Sequence, residues 1–194
     1  MRDLIYYVAS TLDGFIAHHD GSFEGWPWDD AYGAALAETF PDTIPAHLRT
    51  PANAHAANKW FDVVLMGRKT YEVALNEGIT SPYPNMRQYV FSRTMQQSPD
   101  AAVTLVSGDT VDTVRELKQE TGKAIWLCGG ADLAGTLFAA DLIDQMIVKL
   151  NPVLFGTGVP MFAPVAKLAA LELTDHTSYP SGHVVLHYRL RRNA

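Results

Sequence analysis

The sequence predicts an α/β fold: a mainly parallel central sheet flanked by helices and closed by an antiparallel C-terminal hairpin. Three observations carry this expectation. Several apolar runs are continuous rather than alternating, as in strands buried on both faces. Those runs alternate with segments of helical composition. The last two β-rich runs are separated only by the turn Tyr179-Pro180-Ser181-Gly182, which is hairpin spacing.

Taken in order, Leu4 to Ala9 is a buried strand, followed by a turn at Asp13-Gly14. From His18 to Asn58 the character changes. Gly21, Gly25, Pro27, Pro41, Pro45 and Pro51 punctuate short Ala-rich stretches, which predicts a partly helical insertion at about 20–59. Phe61 to Met66 is the second strand, ended by Gly67, with a helix from Lys69 to Leu75. Gln88 to Phe91 and Val103 to Val106 are short strands. Thr110 to Glu120 is a helix with Val111, Val114 and Leu117 on one face, capped by Ser107 or Asp109. Ala124 to Cys128 is a strand stopped by Gly129-Gly130, and a helix carrying Leu133, Leu137 and Phe138 runs to Asp141. Met146 to Leu150, Leu171 to Asp175 and Val184 to Leu190 complete the strands, in what reads as one domain over 1–194.

Composition narrows the function classes. With 15 basic against 21 acidic residues the net charge is -6, which argues against a nucleic-acid surface or an anionic membrane partner. Cys128 is the only cysteine, so an intramolecular disulfide, a Cys-rich zinc site and a CxxC pair are excluded, and a reducing cytoplasm is the expected compartment. No export signal is visible, and no apolar run approaches the roughly 18 residues of a membrane span. No metal site is expected: the adjacent His18 and His19 sit in a Gly-flanked turn, and His183 and His187 are too far apart along a strand for an easy chelate.

Three short segments follow three separate strands: Gly67-Arg68-Lys69-Thr70, Ser92-Arg93-Thr94 and Gly129-Gly130-Ala131-Asp132. In open α/β sheets ligands gather beyond the carboxyl ends of strands. The first segment joins charge, a hydroxyl and helix-start amides in a candidate pyrophosphate cradle. The second supplies an anion site of the kind a 2′-phosphate needs. The third permits close backbone approach. Each has an ordinary explanation alone, as an exposed helix start or a turn; their joint placement points to a nucleotide. The spacing fits neither a P-loop nor the Gly-x-Gly-x-x-Gly of a standard dinucleotide fold.

These residues resemble the dihydrofolate-reductase-like superfamily, especially the C-terminal reductase domain of riboflavin biosynthesis. The resemblance rests on Ser10 to Ala17, Val64 to Glu72, Val90 to Arg93, Leu127 to Gly130, Leu142-Ile143-Asp144, and Asn151 to Gly158 with its Pro-x-x-x-Gly-x-Gly pattern. It implies a three-layer fold with helices on both faces of the sheet and NADPH lying across it. Gly67, Arg68, Lys69 and Thr70 would meet the pyrophosphate, with Ser92 and Arg93 at the 2′-phosphate. Gly129, Gly130, Ala131 and Asp132 would lie beneath the cofactor, where the family commonly has a strained Gly-Gly peptide. Ala9 and Ile16 would border the nicotinamide. Asp13 reads as a loop-fixing turn residue. On the substrate side the sequence departs from both relatives: paired arginines after Asp20 are absent, and Arg87 is offset from a folate-carboxylate arginine.

The expected activity is therefore NADPH-dependent reduction of a pterin-like or pyrimidine-like small molecule, with nucleotide or pterin binding without turnover as the alternative. Trp26, Trp28 and Tyr71 are candidates for an aromatic substrate wall, and Asp29 or Asp30 for the proton relay. The competing explanation for both carboxylates is helix capping. Cys128 reads as a small buried residue, and a homodimer is expected from the apolar C-terminal strands.

Overall fold

The computed structural model describes residues 1–50 and 57–191; Pro51 of the predicted insertion lies outside them. The strands are β1 (Leu4–Thr11), β2 (Phe15–Ala17), β3 (Phe61–Gly67), β4 (Arg87–Phe91), β5 (Val103–Val106), β6 (Ala124–Gly129), β7 (Gln145–Asn151), β8 (Val159–Pro160), β9 (Ala170–Ser178) and β10 (Val184–Arg191). The helices are α1 (Asp30–Thr39), α2 (Arg68–Asn76), α3 (Thr110–Gln119) and α4 (Ala131–Ala139).

Eight strands form one sheet in the order β5-β4-β3-β6-β1-β7-β10-β9. The pairs from β5 to β7 are parallel, β10 runs antiparallel to β7, and β9 runs antiparallel to β10. β1 is central because seven of its eight residues are buried, and a strand with no polar face must be covered on both sides.

The helices cover both faces. On one, Tyr6, Val8, Leu65 and Leu127 pack with Val114 and Leu117 of α3 and Leu133 and Leu137 of α4. On the other, Tyr7, Val64, Met66 and Trp126 pack with Tyr32 of α1, Tyr71 of α2 and Phe40. Each aliphatic side chain so buried contributes about 1.5–3 kcal/mol. The polar tips of buried aromatics are satisfied internally: Trp126 Nε1 donates to the Tyr7 carbonyl at 2.9 Å and the Tyr6 hydroxyl to the Met161 carbonyl at 2.8 Å. The three-layer α/β expectation is met.

Between β2 and β3 the described residues form α1 followed by two single 3₁₀ turns at Pro41–Thr43 and Ala46–Leu48. The anchor of this segment is Asp42, 1% exposed, whose carboxylate accepts hydrogen bonds from the amides of Trp60 (2.9 Å) and Phe61 (2.6 Å) at the start of β3. The sequence pattern does not reveal the separate two-stranded sheet of β2 and β8. Strands of three and two residues are too short to show an alternation.

Candidate cofactor and substrate site

Because β1, β3, β4, β5, β6 and β7 run parallel, the loops after them open on the same edge of the sheet. A cleft of about 1290 Å³ lies there, and all twelve residues suggested for the cofactor border it: Ala9, Ile16, Gly67, Arg68, Lys69, Thr70, Ser92, Arg93, Gly129, Gly130, Ala131 and Asp132. Its size exceeds the roughly 300–1,000 Å³ of a single small-molecule pocket, leaving room for an extended ligand beside a second molecule.

The floor is built where β3 and β6 pair. Gly67 caps α2 and Gly130 caps α4, and neither helix start has a side-chain cap. By contrast, Asp29 caps α1 through the Tyr32 amide and Asp109 caps α3 through the Asp112 amide. Helix-start amides without a capping side chain, together with the positive ends of two helix dipoles, favour an anion. The glycines let the two starts meet. A Cβ built on Gly130 would lie 3.3 Å from the Gly67 Cα, and one on Gly67 would lie 3.4 Å from the Gly129 carbonyl oxygen. Gly130 has a φ of +106°, which glycine adopts readily and a residue with a side chain does not.

Around this floor the charges differ in availability. Arg68 is engaged by Glu72 at 2.5 Å one helical turn on, whereas Lys69 and Arg93 are exposed and make no ion pair among the described residues. Ser92 is buried, and its Oγ accepts from the amides of Thr94 (3.2 Å) and Met95 (2.9 Å). It therefore shapes the turn that presents Arg93. Asp132 stands in the first turn of α4, where the dipole favours a carboxylate.

The substrate-side expectations fare differently. Asp29 is the α1 cap, with Oδ1 2.8 Å from the Tyr32 amide, and Asp30 accepts from the Trp28 indole at 2.8 Å. Neither borders the cleft: the Asp29 carboxylate is used as the α1 cap, and that of Asp30 is held by the Trp28 indole. Tyr71 is also corrected: it is fully buried, and its hydroxyl donates to the Thr80 carbonyl at 2.5 Å. Trp28 does line a second, smaller chamber with Trp26 and Tyr32, although 71% of its surface is exposed.

Lys149 and Asn151 are site residues that the sequence reading misses. Both line the small chamber, and Lys149 borders the main cleft as well. Lys149 Nζ sits 4.3 Å from the centre of the Tyr7 ring, and burial lowers its ammonium to a pKa of about 8. The signal present in the sequence is one charged residue inside the otherwise apolar run from Met146 to Leu150. Cys128, also on the cleft wall, is pushed up to about 12 by burial, which keeps it a thiol and not a nucleophile.

Comparison with known proteins places this architecture. The RibD C-terminal domain model matches residues 2–185. The chain belongs to the RibD C-terminal domain family. Two Bacillus subtilis (strain 168) proteins named as uncharacterized, YwjB and YyaP, are similar to it: YwjB is 30% identical over 96% of this chain and 97% of its own, and YyaP 28% identical over 96% and 94%. Among solved structures, a Shewanella sp. PV-4 protein provisionally assigned to riboflavin biosynthesis is 24% identical, with a TM-score of 0.71 over 99% of this chain and 100% of its own. The Acinetobacter baumannii RibD structure is 16% identical, with a TM-score of 0.65 over 98% of this chain and 58% of its own. A Thermotoga maritima diaminohydroxyphosphoribosylaminopyrimidine deaminase/5-amino-6-(5-phosphoribosylamino)uracil reductase is also 16% identical, with a TM-score of 0.63 over 98% of this chain and 57% of its own. These structures share the dihydrofolate-reductase-like fold with this chain.

In this RibD C-terminal domain, Asp13 and the loop after β7 hold each other in place. Asp13 fixes a loop, as expected: Thr11 Oγ1 donates to it at 2.6 Å, and the amides of Gly156 (2.6 Å) and Phe155 (3.1 Å) also bind it. The Thr11 hydroxyl, aided by these amides, holds the carboxyl below the usual range. Gly158 lets β8 approach β2, since a Cβ there would lie 2.5 Å from the Ala17 carbonyl oxygen. His18 stacks on Phe155 at 3.9 Å and His19 Nε2 lies 2.7 Å from Thr157 Oγ1, so both histidines brace this loop. Among the described residues, no group of three potential metal ligands is present and no helix is long and apolar enough to cross a membrane.

Proposed function

We propose that this protein is an NADPH-dependent reductase that passes hydride to a pterin-like or pyrimidine-like small molecule. The carrying observation is the pair of glycine-started helices, α2 and α4, meeting under one cleft whose border includes Lys69 and Arg93, cations without an ion pair among the described residues. NADPH, when bound, supplies the hydride. In this reading the Gly67–Thr70 and Gly130–Asp132 amides hold the pyrophosphate, Arg93 binds the 2′-phosphate, and Ala9 and Ile16 flank the nicotinamide. The chain's own task is to bind, orient and keep water out.

Calorimetry with NADPH and NADH tests the reading. Arg93→Ala is expected to weaken NADPH by about 1.5–3 kcal/mol, the scale of a hydrogen bond to a charged group, and to leave NADH unaffected. Wild-type protein that binds neither dinucleotide would remove the proposal. Binding without turnover is the second reading, favoured by the engagement of Asp29 and Asp30 at the α1 start. It predicts cofactor binding with no NADPH consumption across a pterin, folate and pyrimidine panel.

A homodimer is part of the proposal, and the cytoplasm is its proposed compartment, given the lone cysteine. β9 is exposed along its whole length and shows Leu171 and Leu173 at 43% and 48% exposure on an open sheet edge. Sedimentation at micromolar concentration should show twice the chain mass. A monomer there would exclude the pairing.

A further inference from the structure

The small chamber, about 160 Å³, has room for one flat ring. Trp26, Trp28 and Tyr32 give it aromatic walls, and Ala9 and Lys149 border both it and the main cleft. Its polar groups are arranged unlike those of a site built for a cationic or donor-rich ring. No carboxylate lines it. Lys149 has no ion-pair partner among the described residues, only the face of Tyr7. The Trp26 indole N–H is buried without an acceptor among the same residues. Asn151 Nδ2 is committed to the carbonyls of Ser10 (3.2 Å) and Lys149 (3.0 Å), which leaves its Oδ1 as an acceptor for a ring N–H.

We propose that Lys149 makes this chamber a receptor for the anionic or carbonyl edge of a single planar heterocycle, so that the molecule reduced is an acidic ring compound. The inference rests on the reductase reading for the word "reduced", and on the chamber alone for the recognition. An ammonium in an aromatic, partly dehydrated setting gains most from an anion, since the electrostatic attraction there is less screened than in water. Other titratable groups on this face of the sheet are Tyr7, Tyr32, Tyr71, Tyr83, Tyr179, Cys128, His183 and His187, together with Asp42, whose carboxylate is taken up by the Trp60 and Phe61 amides. The buried tyrosines and Cys128 stay neutral through the physiological range, and burial disfavours the charged form of His187. With its pKa lowered to about 8, Lys149 is mainly cationic at pH 7 and loses its proton as the pH rises past that value.

Trp26 and Trp28 are built-in reporters. Orotate, a planar acidic pyrimidine, should quench tryptophan fluorescence saturably at pH 7, and benzamidine, a planar cation, should bind at least roughly tenfold more weakly, the scale of one charge-assisted contact. Lys149→Met should abolish the preference and Lys149→Arg should keep it. In protein labelled with ¹³C at lysine Cε, the resonance absent from Lys149→Arg should titrate near 8 and move upward with orotate. The inference is overturned if orotate fails to quench the wild type, if Lys149→Met binds it equally, or if that resonance titrates at the ordinary lysine value of about 10.4. Orotate binding that depends on Lys149 in a protein unable to bind NADPH would instead uphold the receptor and remove the cofactor reading.

Discussion

Lys118→Ala is expected to lower the unfolding free energy by about 3–5 kcal/mol. The side chain of Lys118, 3% exposed, donates to the Leu142 carbonyl at 2.7 Å and to the Asp144 carboxylate, which is itself 16% exposed. Asp144 also accepts from the Leu4 amide at 2.8 Å. One ion pair thus joins α3, the entry to β7 and the first residue of the central strand. Removing the ammonium takes away an opposite charge from beside a largely buried carboxylate and empties the space of the lysine stem. Lys118→Met combined with Asp144→Asn keeps volume and an acceptor for Leu4, and should recover most of the loss. Urea unfolding monitored by circular dichroism measures both. A Lys118→Ala loss under about 1 kcal/mol, the range of an exposed pair, would show that the contact is incidental.

The Leu142-Ile143-Asp144 motif is visible in the sequence as a family feature, but its role is not, because Asp144 and Lys118 are 26 residues apart. The same distinction runs through the molecule. Strand and helix positions can be read because a strand covered on both faces needs an unbroken apolar run, a local property. That the three loops after β3, β4 and β6 border one cleft can be anticipated because parallel pairing brings strand ends together, whereas Ile16 in the three-residue β2 has no such local signal. Side-chain direction is harder to read. Tyr71 lies between Arg68 and Glu72 in sequence, yet the 3.6-residue period turns it to the sheet while those two share the outer face. Asp29 and Asp30 look alike in the sequence, and only the actual start of α1 shows that Asp29 caps it while Asp30 meets the Trp28 indole. Lys149 is hidden for the opposite reason: a single charge in an apolar strand reads as a solvent-facing position until β7 is found between β1 and β10.

Gly130→Ala should weaken NADPH binding by more than about tenfold while costing only about 1–3 kcal/mol of stability, the scale of one residue forced into a sparsely populated conformation. At φ +106° an L-residue is strained, and its Cβ would press 3.3 Å from the Gly67 Cα and 3.6 Å from Thr70 Oγ1. Gly67 and Gly130 start α2 and α4, so relieving that contact moves both helix starts, and with them the amides proposed to hold the pyrophosphate. Gly78→Ala supplies the comparison. Gly78 follows the far end of α2 with φ +76°, and a Cβ placed on it would meet no atom within 4 Å. It should therefore show the conformational penalty without the loss of affinity. If calorimetry finds NADPH bound equally by Gly130→Ala and wild type, the two helix starts do not form the anion cradle. If both alanine variants lose affinity alike, the effect is general destabilisation and the local argument fails.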